Sequence, residues 1–133
     1  MKNKRRILII EDNPVSLAVM EKILANDGCQ VYTAVDGRSG INMALKTQPE
    51  LILLDILLGD MSGQEVVRQL KTDPTTQHIP VVIASNTVHL KDDNGSLHIE
   101  IDGIRYPAFA KPVHNQKLLS VIRKTINRYR FNR

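Results

Sequence analysis

The chain has 133 residues, 42% hydrophobic and 24% charged; this fits one globular domain with a real core and excludes a multidomain assembly or a disordered chain. Its 18 Lys+Arg against 14 Asp+Glu give a formal net charge of +4, and the pI near 9.4 would ordinarily point to nucleic acid or a membrane surface. The distribution opposes that reading: residues 1–6 and 123–133 hold nine basic residues and no acid, whereas residues 7–122 carry 9 basic against 14 acidic residues, a net of −5.

Ile7–Ile10 is a compact aliphatic strand that runs into Glu11-Asp12. Asn13-Pro14 supplies a cap and a first helical residue, and Val15, Ala18, Val19, Ile23 and Leu24 then recur at helical spacing until Asp27-Gly28. The lone Cys29 cannot form an internal disulfide and reads as a small apolar residue entering the next strand, Gln30–Ala34. Asp36-Gly37 opens a second helix carrying Ile41, Ala44 and Leu45, closed before Pro49. Leu51–Leu54 is a continuous aliphatic run ending in Asp55, the pattern of a strand covered on both faces. A third helix spans Gly63–Thr72, and a fourth strand, Pro80–Ala84, ends in Ser85.

Residues 86–107 fit a regular alternation least well. Lys91–Gly95 reads as a loop, Leu97, Ile99 and Ile101 alternate with His98 and Glu100, and Asp102-Gly103 is a hairpin dipeptide. Extended structure or a shortened, irregular fourth helix is expected here, the alternative being a short helix between Ser96 and Gly103. A fifth strand at Ala108–Ala110 leads into Lys111-Pro112. A last helix from Asn115 places Leu118, Leu119, Ile122, Ile126 and Tyr129 on one face. Strands alternating with helices imply right-handed crossovers and an α/β fold with a doubly wound, five-stranded parallel sheet. His78, His89, His98 and His114 lack metal-ligand spacing and read as surface or loop residues. No apolar run suits a secretory signal or a membrane span, so a cytoplasmic chain is expected.

In such a sheet the strands' C-terminal ends share one edge, where ligands bind. Glu11, Asp12, Asp55, Ser85 and Lys111 all occupy strand ends. Three gathered carboxylates repel one another unless a cation joins them, and carboxylate oxygens with water suit Mg²⁺. A lysine and a hydroxyl beside them could hold phosphoryl oxygens, and a carboxylate can be the covalent acceptor. The residues therefore point to Mg²⁺-dependent phosphoryl chemistry on an aspartate.

Glu11-Asp12, Leu51–Asp55, Gly63, Pro80–Ser85 and Lys111-Pro112, in that order over roughly residues 6–130, resemble the receiver domain of two-component response regulators. The resemblance implies a flavodoxin-like strand order 2-1-3-4-5 and one receiver domain over residues 1–133. It implies Asp55 as phosphoacceptor, Ser85 as switch hydroxyl, Lys111 as the family's lysine and a cis Lys111–Pro112 bond. Glu11, Asp12, Asp55 and the Leu57 backbone carbonyl would hold Mg²⁺. A histidine kinase or phosphotransfer protein would be the donor and a downstream protein the reader, with a homodimer as a further option and neither nucleic acid nor membrane as partner. Catalysis would be confined to the chain's own phosphorylation and dephosphorylation, so it is not expected to be an enzyme otherwise. With three residues after Arg130, a stand-alone receiver is expected, and apolar Leu57 suggests a persistent phosphoryl-aspartate.

Several positions depart from the family pattern. Leu58-Gly59 stands where Met-Pro is frequent, Asn86 where a small residue follows the hydroxyl, and Ala108 where an aromatic commonly rotates on activation. The interval from Ser85 to Lys111 is also a few residues long. These departures keep a second reading open, a phosphorylation-independent scaffold. A haloacid-dehalogenase-type phosphatase resembles Asp-x-Asp at its nucleophile, and Leu57 occupies that second position.

Overall fold

Three strands with unbroken aliphatic runs require cover on both faces, and the helices supply it. The computed structural model describes residues 4–86, 91–93 and 96–131. In chain order the elements are β1 (Arg6–Ile10), α1 (Pro14–Asn26), β2 (Gln30–Ala34), α2 (Gly37–Thr47), β3 (Leu51–Asp55), α3 (Gly63–Thr72), β4 (Val81–Ser85), β5 (Lys91–Asp93), β6 (Ser96–Ile101), β7 (Ile104–Ala110) and α4 (Asn115–Phe131). Every residue of β3 and β4 is buried, which is the reason their sequences do not alternate.

The helix ends follow local chemistry. Asn13 Oδ1 accepts from the N–H groups of Val15 and Ser16 at 2.9 and 3.0 Å, with Pro14 as the first helical residue. Asp36 Oδ1 accepts from Ser39 N–H at 2.8 Å, and Ser62 Oγ from Glu65 N–H at 3.1 Å. Helix α1 closes on Gly28, whose φ of 86° lies in the left-handed region. Helices α2 and α3 pack one side of the sheet through Ile41, Ala44, Val66, Val67 and Leu70. Helices α1 and α4 pack the other through Met20, Ile23, Leu24, Leu118, Ile122 and Ile126.

The strand order is β2-β1-β3-β4-β7-β6-β5. Strands β2, β1, β3, β4 and β7 are mutually parallel, and their order is the doubly wound 2-1-3-4-5 of the sequence reading. The five parallel strands are as expected, but among the described residues the total is seven, because β6 and β5 add antiparallel strands beyond β7. Of the two expectations for 86–107 the extended one holds over the described residues 91–93 and 96–107. β-branched alternation lets Ile99 and Ile101 enter the α2/α3 side of the core together with Tyr106 and Ala108. Asp102 and Gly103, at φ 52° and 81°, turn β6 into β7 as their dipeptide predicts. Lys91–Asp93, expected as loop, is a strand: pairing with Ser96–His98 overrides its polar composition. Asn94, Gly95 and His89 lie outside the described residues. His98 corrects another expectation, being buried at 8% exposure in β6, whereas His78 and His114 are exposed.

A bidentate contact fixes this hairpin to α3. Arg68 Nε and Nη2 donate to the two carboxylate oxygens of Asp102 at 2.8 and 3.2 Å. Among the described residues, no helix is long and apolar enough to cross a membrane.

Candidate functional site

Four parallel strands deliver the expected side chains to one edge. Glu11 and Asp12 leave β1, Asp55 ends β3, Ser85 ends β4 and Lys111 leaves β7. Carboxylate oxygens of Glu11, Asp12 and Asp55 lie within 4.8 Å of one another. Glu11 is fully buried, Asp55 is 7% exposed, and Asp12 opens to solvent. Ser85 is fully buried, and its carbonyl accepts from Lys111 N–H at 2.9 Å, so hydroxyl and lysine stand side by side across the β4–β7 pair. The Lys111–Pro112 bond is cis, as the resemblance implied.

Lys111 Nζ reaches the cluster, donating to Glu11 Oε1 and, at 3.2 Å, to Asp55 Oδ2. The other Asp55 oxygen, Oδ1, accepts from Leu57 N–H at 3.1 Å. Both oxygens are thereby oriented, one by an ammonium and one by the backbone. The Leu57 side chain is 59% exposed.

The charge balance is one ammonium against three carboxylates. Burial first and neighbouring Asp55 second push the Glu11 carboxyl up to about 7, against the opposing effect of Lys111. Two enclosed carboxylates and one exposed carboxylate offer hard oxygen donors with room for water, a donor set that fits Mg²⁺.

The loop after β3 is held by residues that sequence reasoning did not select. Asp60 Oδ1 and Oδ2 accept from Gly37 and Arg38 N–H at 2.7 and 2.9 Å, and these bonds hold its carboxyl below the usual carboxylate range. Asp60 thus caps the start of α2 while anchoring the loop next to Asp55. No local signal could reveal this, since the partners lie 22 and 23 residues upstream. At Gly63, by contrast, the sequence did mark the position. A Cβ there would lie 2.7 Å from Ile56 Cα and 2.9 Å from Asp55 O, so only glycine lets α3 start against the strand end. Gly59 passes near Asp12, where a Cβ would sit 3.9 Å from Oδ2.

On β7, Ala108 is buried opposite Ile83. Tyr106, two residues earlier, belongs to the same side of the core, and Phe109 to the opposite side. The aromatic side chains flanking position 108 are therefore packed rather than free beside Ser85, at 6% and 4% exposure.

Comparison with known proteins agrees with this geometry. PilH of Pseudomonas aeruginosa is 34% identical over 92% of this chain and 94% of its own length. PleD of Caulobacter vibrioides is 42% identical over 59% of this chain, a match that spans 17% of PleD. Among solved structures, a CheY-like receiver domain protein from Methanospirillum hungatei superposes with a TM-score of 0.78 at 21% identity, covering 98% of this chain and 100% of that one. The receiver domain of the Pseudomonas aeruginosa sensor kinase PA1611, solved with magnesium in its active-site cleft, gives 0.80 at 23% identity, covering 94% and 99%. Residues 7–123 match the family model described as the response regulator receiver domain, and the chain belongs to that family of two-component signalling domains.

Proposed function

We propose that the chain accepts a phosphoryl group on Asp55 and acts as a phosphorylation-controlled binding module. The observation that carries this reading is the bracing of Asp55, with Oδ1 held by Leu57 N–H and Oδ2 by Lys111, inside the carboxylate cluster. Glu11, Asp12, Asp55 and the Leu57 carbonyl would hold Mg²⁺, which when bound supplies charge neutralisation for the incoming phosphoryl oxygens. An Asp55 carboxylate oxygen forms the new O–P bond, while the P–N bond of a phosphohistidine donor breaks and its imidazole keeps the electron pair. Lys111, released from part of its contact with Asp55, balances the added charge, and the Ser85 hydroxyl donates to a phosphoryl oxygen. The donor is a histidine kinase or phosphotransfer protein, and the reader is a second protein. The chain catalyses only its own phosphorylation and dephosphorylation, in the cytoplasm.

Incubation with acetyl phosphate and Mg²⁺, followed by intact-mass measurement, should give one phosphate adduct that Asp55→Asn abolishes. An adduct that survives this substitution would falsify the assignment. Leu57 places an apolar side chain beside the acceptor, where attacking water must pass, so the adduct should decay faster in Leu57→Asn. Unchanged decay would remove the shielding role.

The hairpin in place of a helix and Ala108 in place of an aromatic favour one alternative, a phosphorylation-independent scaffold. Partner affinity measured with and without beryllofluoride separates the two readings: equal affinities support the scaffold.

A further inference from the structure

The N–H groups of an opening helical turn have no partner within their own helix. At the start of α2, Asp36 serves one of them, its Oδ1 accepting from Ser39 N–H at 2.8 Å. The N–H groups of Gly37 and Arg38 are left to a distant residue, and Asp60 gives each of them one carboxylate oxygen, at 2.7 and 2.9 Å. Packing backs these bonds. A Cβ on Gly37 would lie 2.5 Å from Met61 Cγ, so the helix start is seated on the residue after Asp60.

Asp60 belongs to the loop that runs from the acceptor strand to α3. Leu57 bridges to Ser62 in antiparallel fashion, and Gly63 N–H donates to Ile56 O at 2.9 Å, so the two ends of the loop meet. At its first residue, Leu57 N–H orients Asp55 Oδ1. Of the described hydrogen bonds made by residues 58–61, those of Asp60 are the ones that reach another element. Asp60 is thus the outward tie of a loop whose first residue touches the acceptor. It makes no described hydrogen bond to Glu11, Asp12 or Asp55, so any action on the site runs through the backbone.

We infer that Asp60 is a positioning residue for the acceptor site. By fastening the loop to the first turn of α2, it holds the Leu57 peptide where its N–H meets Asp55 and its carbonyl can serve Mg²⁺. The part concerning Mg²⁺ rests on the proposed function, and the part concerning the N–H does not. A carboxylate suits this task, because its two oxygens can accept from two successive N–H groups and its charge is favoured at a helix N-terminus. A side chain with one acceptor oxygen would leave one of those N–H groups without it. The start of α2 thereby becomes a support of the phosphoryl-accepting edge, although none of its residues reaches the carboxylate cluster.

The experiment compares Asp60→Ala with Asp36→Ala in the full chain. Each removes one negative charge and a side-chain acceptor from the start of α2, so both should lower the melting temperature by a few degrees. They differ in what they do to the loop. Hydrogen exchange followed by NMR without Mg²⁺ should show the Leu57 amide exchanging several-fold faster in Asp60→Ala and unchanged in Asp36→Ala. Calorimetric titration should show Mg²⁺ binding weakened about tenfold in Asp60→Ala and nearly unchanged in Asp36→Ala. Should Asp60→Ala fail to fold, Asp60→Asn, which keeps one accepting oxygen, should show both changes at smaller size. Equal Leu57 exchange in the Asp60 and Asp36 variants would mean that the Ile56 N–H bond to Ala84 O and the Ser62 bridge hold the loop unaided, and overturns the inference. Faster exchange with Mg²⁺ affinity retained reduces Asp60 to a helix cap and overturns it as well. A parent chain that binds no Mg²⁺ removes the metal reading of the proposed function, while the exchange comparison, made without the ion, still decides whether Asp60 positions Leu57.

Discussion

Lys71 illustrates how a single side chain can be structural and titratable at once. Its Nζ donates to the carbonyls of Gln77 and Ile79 at 3.1 and 2.6 Å, closing the passage from α3 to β4. Burial lowers its pKa to about 8 from an ordinary value of 10.5. The unfolded chain holds that proton where the folded chain releases it, so unfolding takes up a proton between those two values. The free energy of unfolding should therefore rise with pH from about 8 to about 10.5. Denaturant titrations should show wild type gaining on Lys71→Met across this window, by at most about 3 kcal/mol. A pH-independent difference between the two would show that Lys71 is not depressed. Glu11, Asp12, Asp55, Ser85 and Lys111 were legible from sequence because each stands at a strand end, and parallel topology sends every such end to one edge. Asp60 and Lys71 were not, because their partners are backbone groups of other segments.

At the level of elements, the hairpin is the chain's main departure from a regular five-unit sheet. The alternation of Leu97, Ile99 and Ile101 and the Asp102-Gly103 turn were readable, since both are local. The strand character of Lys91–Asp93 was not, because it arises from pairing with β6 rather than from its own composition. The link between Arg68 and Asp102 was equally hidden, the two residues being 34 apart. That link tethers the turn to α3, whose first residue abuts the acceptor strand end at Gly63. Arg68→Ala should speed amide exchange of the turn-proximal residues of β6 and β7 several-fold while leaving the amide of Leu57 unchanged. Unaltered exchange in the hairpin would show that pairing with β4 and packing of Ile99 and Ile101 alone hold it.

Across the whole molecule, the basic ends and acidic middle have separate consequences. The carboxylate excess at the sheet edge should make stability depend on divalent cations, since an ion bound only to the folded state stabilises it by mass action. With Mg²⁺ at about ten times its dissociation constant, the melting temperature should rise by about 5 °C. Asp12→Ala should lose most of that rise. A melting temperature indifferent to Mg²⁺ would count against the metal assignment. The basic residues of α4 lie away from that edge: Arg123 binds Asp27, and Lys117, Lys124 and Arg128 are exposed.

The contact of Lys111 with Glu11 joins residues 100 positions apart, and its contact with Asp55 joins residues 56 apart. During synthesis the three carboxylates therefore leave the ribosome well before the lysine that stabilises them. Before β7 joins, the carboxylates at the ends of β1 and β3 lack that ammonium, and burial of the aliphatic strand residues is what brings those strands together. Arrival of Lys111 offsets part of the repulsion and ties β1 and β3 to the residue after β7. The full set of charges at the sheet edge is in this way assembled only once β7 has joined β4.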